Sequence, residues 1–390
     1  MKEFKTIVAE YHKIDLTKRR AAMATVVKVR GSSYRSPGAR MLITDDGKWV
    51  GSISGGCLEG DALRKARQVM ETERPVCITY DTREESNQNL GIGLGCNGVI
   101  DVFIEPITQS KKNNPVTLFK DLINNKEAVA LATIVISPTN TAKEAGEKIL
   151  LSANAILSDN FSDTELKGMV QHDLQGLFEN HQSICKTYIT EAGKYEVFIE
   201  LVQPSISLMI FGGGFDARPV SALAKTLGWE VNVTDECVAH IAPVFFPDAD
   251  KLSLCKREFI DREFNISKYT ACVLMSHNYE YDRDVLKKII HTDTPYIGIL
   301  GPRKRFDKML DEFAAAGIHL ASEDLQRIHS PIGLDVGAET PDEIALAIIG
   351  EIQAVFTNSN AGFLREKPGP IHQRDAHSEQ VFKQVYLHKA

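Results

Sequence analysis

No run of apolar residues in this 390-residue chain reaches the roughly 18 that a membrane-crossing helix needs. Residues 1–20 mix charges and lack the apolar centre of a secretory signal. Basic excess is missing as well. The formal net charge is −7, which argues against a general binder of nucleic acid, because neutralising phosphates takes a surplus of cations. The seven cysteines (Cys57, Cys77, Cys96, Cys185, Cys237, Cys255 and Cys272) are odd in number, and no two have CxxC spacing. A zinc ribbon and a disulfide framework are therefore not expected. Walker A, HExxH and Ser-His-Asp patterns are absent. Glycine and proline are too few for a disordered chain. What remains is the profile of a soluble, cytoplasmic protein, 43% hydrophobic and long enough for two or three domains with cores of their own.

A degenerate repeat runs through the first two hundred residues. Ala22–Val27 matches Ala130–Val135, Gly38–Ile43 matches Gly146–Leu151, and Cys77–Tyr80 matches Cys185–Tyr188, all at an offset of 108. Asp101–Glu105 matches Glu196–Glu200 at 95, so the first copy carries 13 extra residues before its last element. Many matched pieces are short, β-branched or aromatic and bounded by turn residues, as strands are. Residues 58–70 have the pattern of a helix. The expected architecture is an α+β domain over 1–203, with halves at about 20–106 and 128–202 that either share one sheet or pack as a pair.

Pro204-Ser205 marks a boundary. Beyond it, apolar runs near 208–211, 229–234, 251–254, 271–275 and 295–300 alternate with helical stretches. That alternation predicts a Rossmann-like, doubly wound parallel sheet over 204–356. Thr340-Pro341-Asp342-Glu343 reads as a helix start: a Thr cap, Pro at the first position and an acid at the third. Residues 357–390 read as a polar tail or arm.

Within the second domain, Gly212-Gly213-Gly214-Phe215-Asp216-Ala217 fits GxGxxA between a strand and a helix, with Asp235 21 residues after Gly214. A tight turn, close backbone approach at Gly212 and Gly214, a helix start at Ala217 and an acid for ribose hydroxyls form the logic of a nucleotide site. Arg218 is placed to contact a phosphate or to lie solvated on the helix. Gly301-Pro302-Arg303-Lys304-Arg305 leaves another strand with three cations, Arg303 first. His277 follows a strand into the same carboxyl edge, where ligands bind in such sheets.

The two copies of the first domain differ in three loops. Ser32–Pro37, Gly55–Gly60 and Gly91–Gly98 in the first copy have Asn140–Ala145, Asp163–Gly168 and nothing as counterparts. A fold built twice does not require what only one copy has, so these loops mark a candidate site. Ser33, Arg35 and Arg40 offer donors to an anion. Cys57 precedes a helix, whose N-terminus favours the thiolate, and Cys96 lies in a second glycine-rich loop. A thiolate is a soft metal ligand, and a buried cysteine in a tight turn is the alternative for both. Glu59 is an acceptor for N–H groups. Cys77, matched by Cys185, is a core residue.

These same stretches resemble the XdhC/CoxI family of xanthine dehydrogenase accessory proteins. The resemblance rests on Gly31–Arg35 with Pro37-Gly38-Ala39, on Gly51–Glu59, on Gly93–Cys96, on Phe211–Gly214, on Tyr296–Gly301 and on Ser330–Leu334. It spans roughly residues 10–356. It implies a chaperone without turnover, one that binds the molybdenum cofactor (molybdopterin), guards it while its terminal sulfur is installed by a sulfurtransferase (cysteine desulfurase), and hands it to a xanthine dehydrogenase-type molybdenum hydroxylase. A homo-oligomer is expected. With that cofactor as cargo, the comparison of the two copies assigns the pterin's N–H edge to Glu59, its phosphate to Ser33, Arg35 and Arg40, and the metal or its sulfur to Cys57 and Cys96. The competing expectation is an oxidoreductase using NAD(P) or FAD at Gly212–Asp235. Two departures stand out: Asn97 where the family pattern has glycine, and Glu236-Cys237 after Asp235 where it has Pro-Arg.

Overall fold

In the computed structural model, which describes residues 1–82, 98–108, 114–138, 145–368 and 371, the chain parts into two units between Pro204 and Ser205. The first contains α1 (Lys2–Tyr11), β1 (Ala21–Gly31), β2 (Arg40–Thr44), β3 (Trp49–Gly51), α2 (Glu59–Thr72), β4 (Val76–Asp81) and β5 (Gly98–Ile107). These are followed by α3 (Pro115–Asn124), β6 (Val129–Ile136), β7 (Lys148–Ser152), β8 (Ile156–Asp159), α4 (Thr164–Asn180), β9 (Ile184–Thr190) and β10 (Gly193–Val202).

The repeat builds two sheets rather than one. Their strand orders, β3-β2-β1-β5-β4 and β8-β7-β6-β10-β9, are the same. The sheets pack as a pair because the strand period of two gives each central strand two apolar faces. Ala22, Ala24 and Val26 of β1 meet Ala62, Ala66 and Val69 of α2. Their alternates, Ala21 and Met23, meet Val129 and Leu131 of β6 together with α1 and α3. In the second half Ala130, Ala132 and Ile134 face Leu166, Val170 and Leu174 of α4. The layers run helix, sheet, sheet, helix. The 13 extra residues fall between β4 and β5.

Two buried ion pairs cross the seam. Arg40 at the start of β2 bonds Glu200 of β10 through both carboxylate oxygens, and Lys148 at the start of β7 bonds Glu105 of β5 at 2.6 Å. Each cation also donates to a carbonyl two residues earlier, Gly38 at 2.7 Å and Gly146 at 3.0 Å. The duplicated positions thus pair crosswise, cation of one half with acid of the other.

The second unit contains β11 (Ser207–Phe211), α5 (Ala217–Thr226), β12 (Glu230–Asp235), β13 (Lys251–Leu254), α6 (Ile260–Glu263), β14 (Thr270–Leu274) and α7 (Tyr279–Ile289). It ends with β15 (Tyr296–Ile299), α8 (Arg303–Ala315), α9 (Ser322–Gln326), β16 (Ile328–His329) and α10 (Pro341–Phe356). Its six strands are parallel in the order β13-β12-β11-β14-β15-β16, the Rossmann-like sheet expected. Thr340 and Glu343 cap α10 reciprocally. The order reverses between β11 and β14, which puts the crevice of the sheet between Gly212 and Ser276.

Candidate functional site

Two loops of the first half and the start of β5 come to one end of its sheet. The loop 32–37 leaves β1, the loop 52–58 leaves β3, and Gly98 begins β5 where the stretch 83–97 ends. Gly98 lies against the first: a Cβ there would sit 2.1 Å from the Ser32 carbonyl oxygen. Thr82 pins the neck of that stretch, its hydroxyl donating to the Gly98 carbonyl at 2.7 Å. The first two loops touch through Tyr34, whose ring lies on Gly55; a Cβ at Gly55 would meet Tyr34 Cδ1 at 2.8 Å. Gly55 has φ +87°, so both its conformation and its contact call for glycine.

The loop 52–58 is folded around one carboxylate. Glu59, 4% exposed, accepts from the hydroxyls of Ser52 at 2.7 Å and Ser54 at 2.5 Å. It also accepts from the backbone N–H groups of Ile53, Ser54, Gly55, Gly56 and Leu58 at 2.9–3.2 Å. Burial alone would push this carboxyl up, but the bonds from Ser54 and Ser52 outweigh it and hold it down at about 2. Such a ring of N–H donors at a helix start is an anion nest, and the protein fills it with its own side chain. The expected role of Glu59 as acceptor for a ligand's N–H edge gives way to this internal one.

The other first-half candidates divide. Arg40 is spent on Glu200, so it is not free for a phosphate. Arg35 pairs with Glu3 at 2.7 and 2.9 Å, and 32% of its side chain stays exposed; a part-exposed guanidinium fits an anionic group. Ser33 is buried. Cys57 is half-buried and packs against the helix-side core of the first sheet. Cys96 lies outside the described residues. Cys77 and Cys185 pack together with Phe103 and Phe198, and burial pushes each thiol up to about 12.

In the second unit the glycine turn sits in the crevice, but the chain occupies its polar groups. The Gly212 N–H donates to the Thr234 carbonyl at 2.8 Å, and a Cβ at Gly212 would lie 2.4 Å from Ser276 Cα. Asp235, 4% exposed, accepts from the N–H groups of Gly213 at 2.9 Å and Cys237 at 2.8 Å and lies 2.9 Å from His240 Nδ1. A Cβ at Gly213 would lie 2.5 Å from the His240 carbonyl oxygen. The acid that would take ribose hydroxyls is thus an internal strut closed over by His240. Asp216 adds a negative charge beside Ala217 at the α5 start, 3.2 Å from His277 Nε2. These residues do not fit an NAD-type dinucleotide, which needs an open acid and a turn free of negative charge.

His277 has φ +59° and rests on Gly214. Arg303 is exposed at the start of α8. Arg218 stacks on Phe245 at 3.7 Å, beside a cavity of about 310 Å³. Sequence reasoning missed Tyr34 and His240. The signal for Tyr34 was its replacement by Ala142 in the second copy; nothing in the sequence pointed to His240.

Among the described residues no group of three or more His, Cys, Asp or Glu could hold a metal ion, and no helix is long and apolar enough to cross a membrane.

Known proteins match both units. The XdhC and CoxI family model matches residues 16–81, and the XdhC Rossmann domain model matches 208–352. A Bacillus subtilis (strain 168) protein, named a probable subunit of xanthine dehydrogenase, is 32% identical over 332 residues, 85% of this chain and 92% of its own length. The molybdenum cofactor insertion chaperone PaoD of Escherichia coli (strain K12) is 22% identical over 336 residues, 86% of this chain and 83% of that one. A crystal structure of a xanthine dehydrogenase from Bacillus halodurans matches with a TM-score of 0.71 at 26% identity, covering 93% of this chain and 98% of that one.

Proposed function

Because the chain belongs to the XdhC and CoxI family, we propose that it is a molybdenum cofactor chaperone. In this reading it takes up the cofactor at the loop end of the first sheet and delivers it to a xanthine dehydrogenase-type hydroxylase. The observation that carries the reading is the asymmetry of the duplicated unit. Two halves with one strand order differ in sequence at one end, where the first has Tyr34, Cys57 and the Glu59-organised loop and the second has Ala142, Glu165 and Lys167 in their places. The name of the Escherichia coli relative supplies the cargo, a flat pterin with a phosphate and a dithiolene that holds molybdenum.

Each group has a task there. The Arg35 guanidinium takes the phosphate. The Cys57 thiol stands on the loop that Glu59 fixes, as a soft donor toward the metal or its sulfur. The Glu59 nest keeps Gly55 and Gly56 in place without itself touching cargo. Sulfuration of the carried cofactor by a sulfurtransferase and assembly into a homo-oligomer belong to the same reading. The experiment is transfer: the chain, loaded anaerobically with cofactor and mixed with a cofactor-free molybdenum hydroxylase, restores that enzyme's activity. A loaded chain that restores no more activity than the same amount of free cofactor overturns the chaperone role.

A further inference from the structure

We infer that Tyr34 is the platform on which the flat ring system of the cargo stacks; this rests on the cofactor-binding role proposed above. Three observations lead to it. Tyr34 is 69% exposed, an aromatic ring held at the surface where the loops 32–37 and 52–58 touch. Its inner side is fixed: Cδ1, Cε1 and Cγ all lie within 3.3 Å of where a Gly55 Cβ would be. The bed beneath is rigid, because the Gly55 N–H donates to Ser52 Oγ at 2.9 Å and Glu59 Oε1 at 3.2 Å. The second half of the unit has the same strand order and carries Ala142 at this position, so the fold does not need the ring.

A ring braced on one side and open to solvent on the other is how proteins hold flat heterocycles. Stacking of this kind tolerates variation in the ring's edge atoms and loses about five- to a hundredfold in affinity when the aromatic is removed. The residue after Tyr34 is Arg35, whose side chain is 32% exposed and pairs with Glu3. An aromatic ring and a guanidinium therefore sit on consecutive residues, which suits a planar group carrying a phosphate arm.

The test uses the full chain with Tyr34→Ala and Tyr34→Phe. The exposed position lets both variants fold, checked by melting within about 2 °C of the parent. Two probes are used: pterin-6-carboxylate, followed by quenching of its fluorescence, and molybdenum cofactor released anaerobically from a purified molybdenum hydroxylase, followed by retention on the protein. The expected result is about tenfold weaker binding of cofactor and loss of pterin quenching in Tyr34→Ala, with Tyr34→Phe close to the parent. Equal cofactor affinity in parent and Tyr34→Ala, with retention still lost in Cys57→Ser, overturns the platform and leaves the cofactor-binding role standing. A Tyr34→Ala variant that binds cofactor normally but fails to transfer it also overturns the platform, and makes Tyr34 a contact for the acceptor enzyme. If the parent retains neither probe, the cofactor-binding role falls and the platform falls with it.

Discussion

Arg40 and Glu200 lie 160 residues apart and meet as a buried pair across the two sheets of the first unit, each side chain only 5% exposed. Lys148 and Glu105 repeat the pair with the halves exchanged. The Arg40 guanidinium also lies 4.9 Å from the Phe4 ring centre and 5.1 Å from that of Phe119. A pair so enclosed fixes how the halves register.

Removing one member strands the other charge in the seam. Arg40→Ala or Glu200→Ala is expected to cost about 3–5 kcal/mol, read from urea unfolding of the full chain. The double change Arg40→Met with Glu200→Leu is expected to cost clearly less than either, since no charge is left buried. Equal losses in single and double variants would mean that the apolar packing, and not the pair, sets the stability.

The Glu59 nest makes stability depend on pH with a definite sign. Its carboxyl sits at about 2 in the folded chain, below its ordinary value of 4.5. The stabilisation is therefore fully present above the ordinary value and is lost as pH falls toward 2. Glu59→Gln is expected to cost about 2 kcal/mol near pH 7, and the gap from the parent should narrow as pH drops from about 5 toward 3. A gap that stays constant over that range speaks against the nest.

Cysteine substitutions should separate by place. Cys57→Ser is expected to weaken cofactor retention several-fold with little change in melting. Cys77→Ser puts a hydroxyl among Val27, Phe103 and Val135 and is expected to cost about 1–3 kcal/mol without a retention defect of its own. Anaerobic retention measured beside thermal melting distinguishes the two. The outcome against the assignment is a Cys57→Ser variant that melts early and retains cofactor as the parent does.

For the second unit the expected result is no binding of NAD or NADP by the full chain in calorimetry at millimolar nucleotide. Asp235 is closed by His240, Gly213 and Cys237, and Asp216 guards the helix start. Micromolar binding that Asp235→Ala abolishes would show that this corner opens.

Much of the architecture was legible because it is written in period and spacing. The offsets of 108 and 95 reappear as β4 against β9 and β5 against β10, and the glycine turn falls between β11 and α5. What stayed hidden was the use of charge. Arg40 looked like a donor awaiting an anion, since its acid is distant in sequence; the clue was that Glu105 and Glu200 are charges inside matched apolar strands, opposite a cation kept in both copies. Glu59 looked like a ligand acceptor, yet Ser52, Ser54, Gly55 and Gly56 just before it already spelled a nest of donors. Asp235 fitted its motif, and only the turn bearing His240 shows that the chain closes over it.

The most direct measurement is mass spectrometry of the small molecule that copurifies with the chain under anaerobic conditions, made from cells with an intact molybdenum cofactor pathway. The parent should carry a molybdopterin-type pterin in near-stoichiometric amount, and Cys57→Ser should carry several-fold less. A parent that comes away with no pterin, while a known cofactor carrier treated alike keeps its own, would contradict the cofactor-binding role.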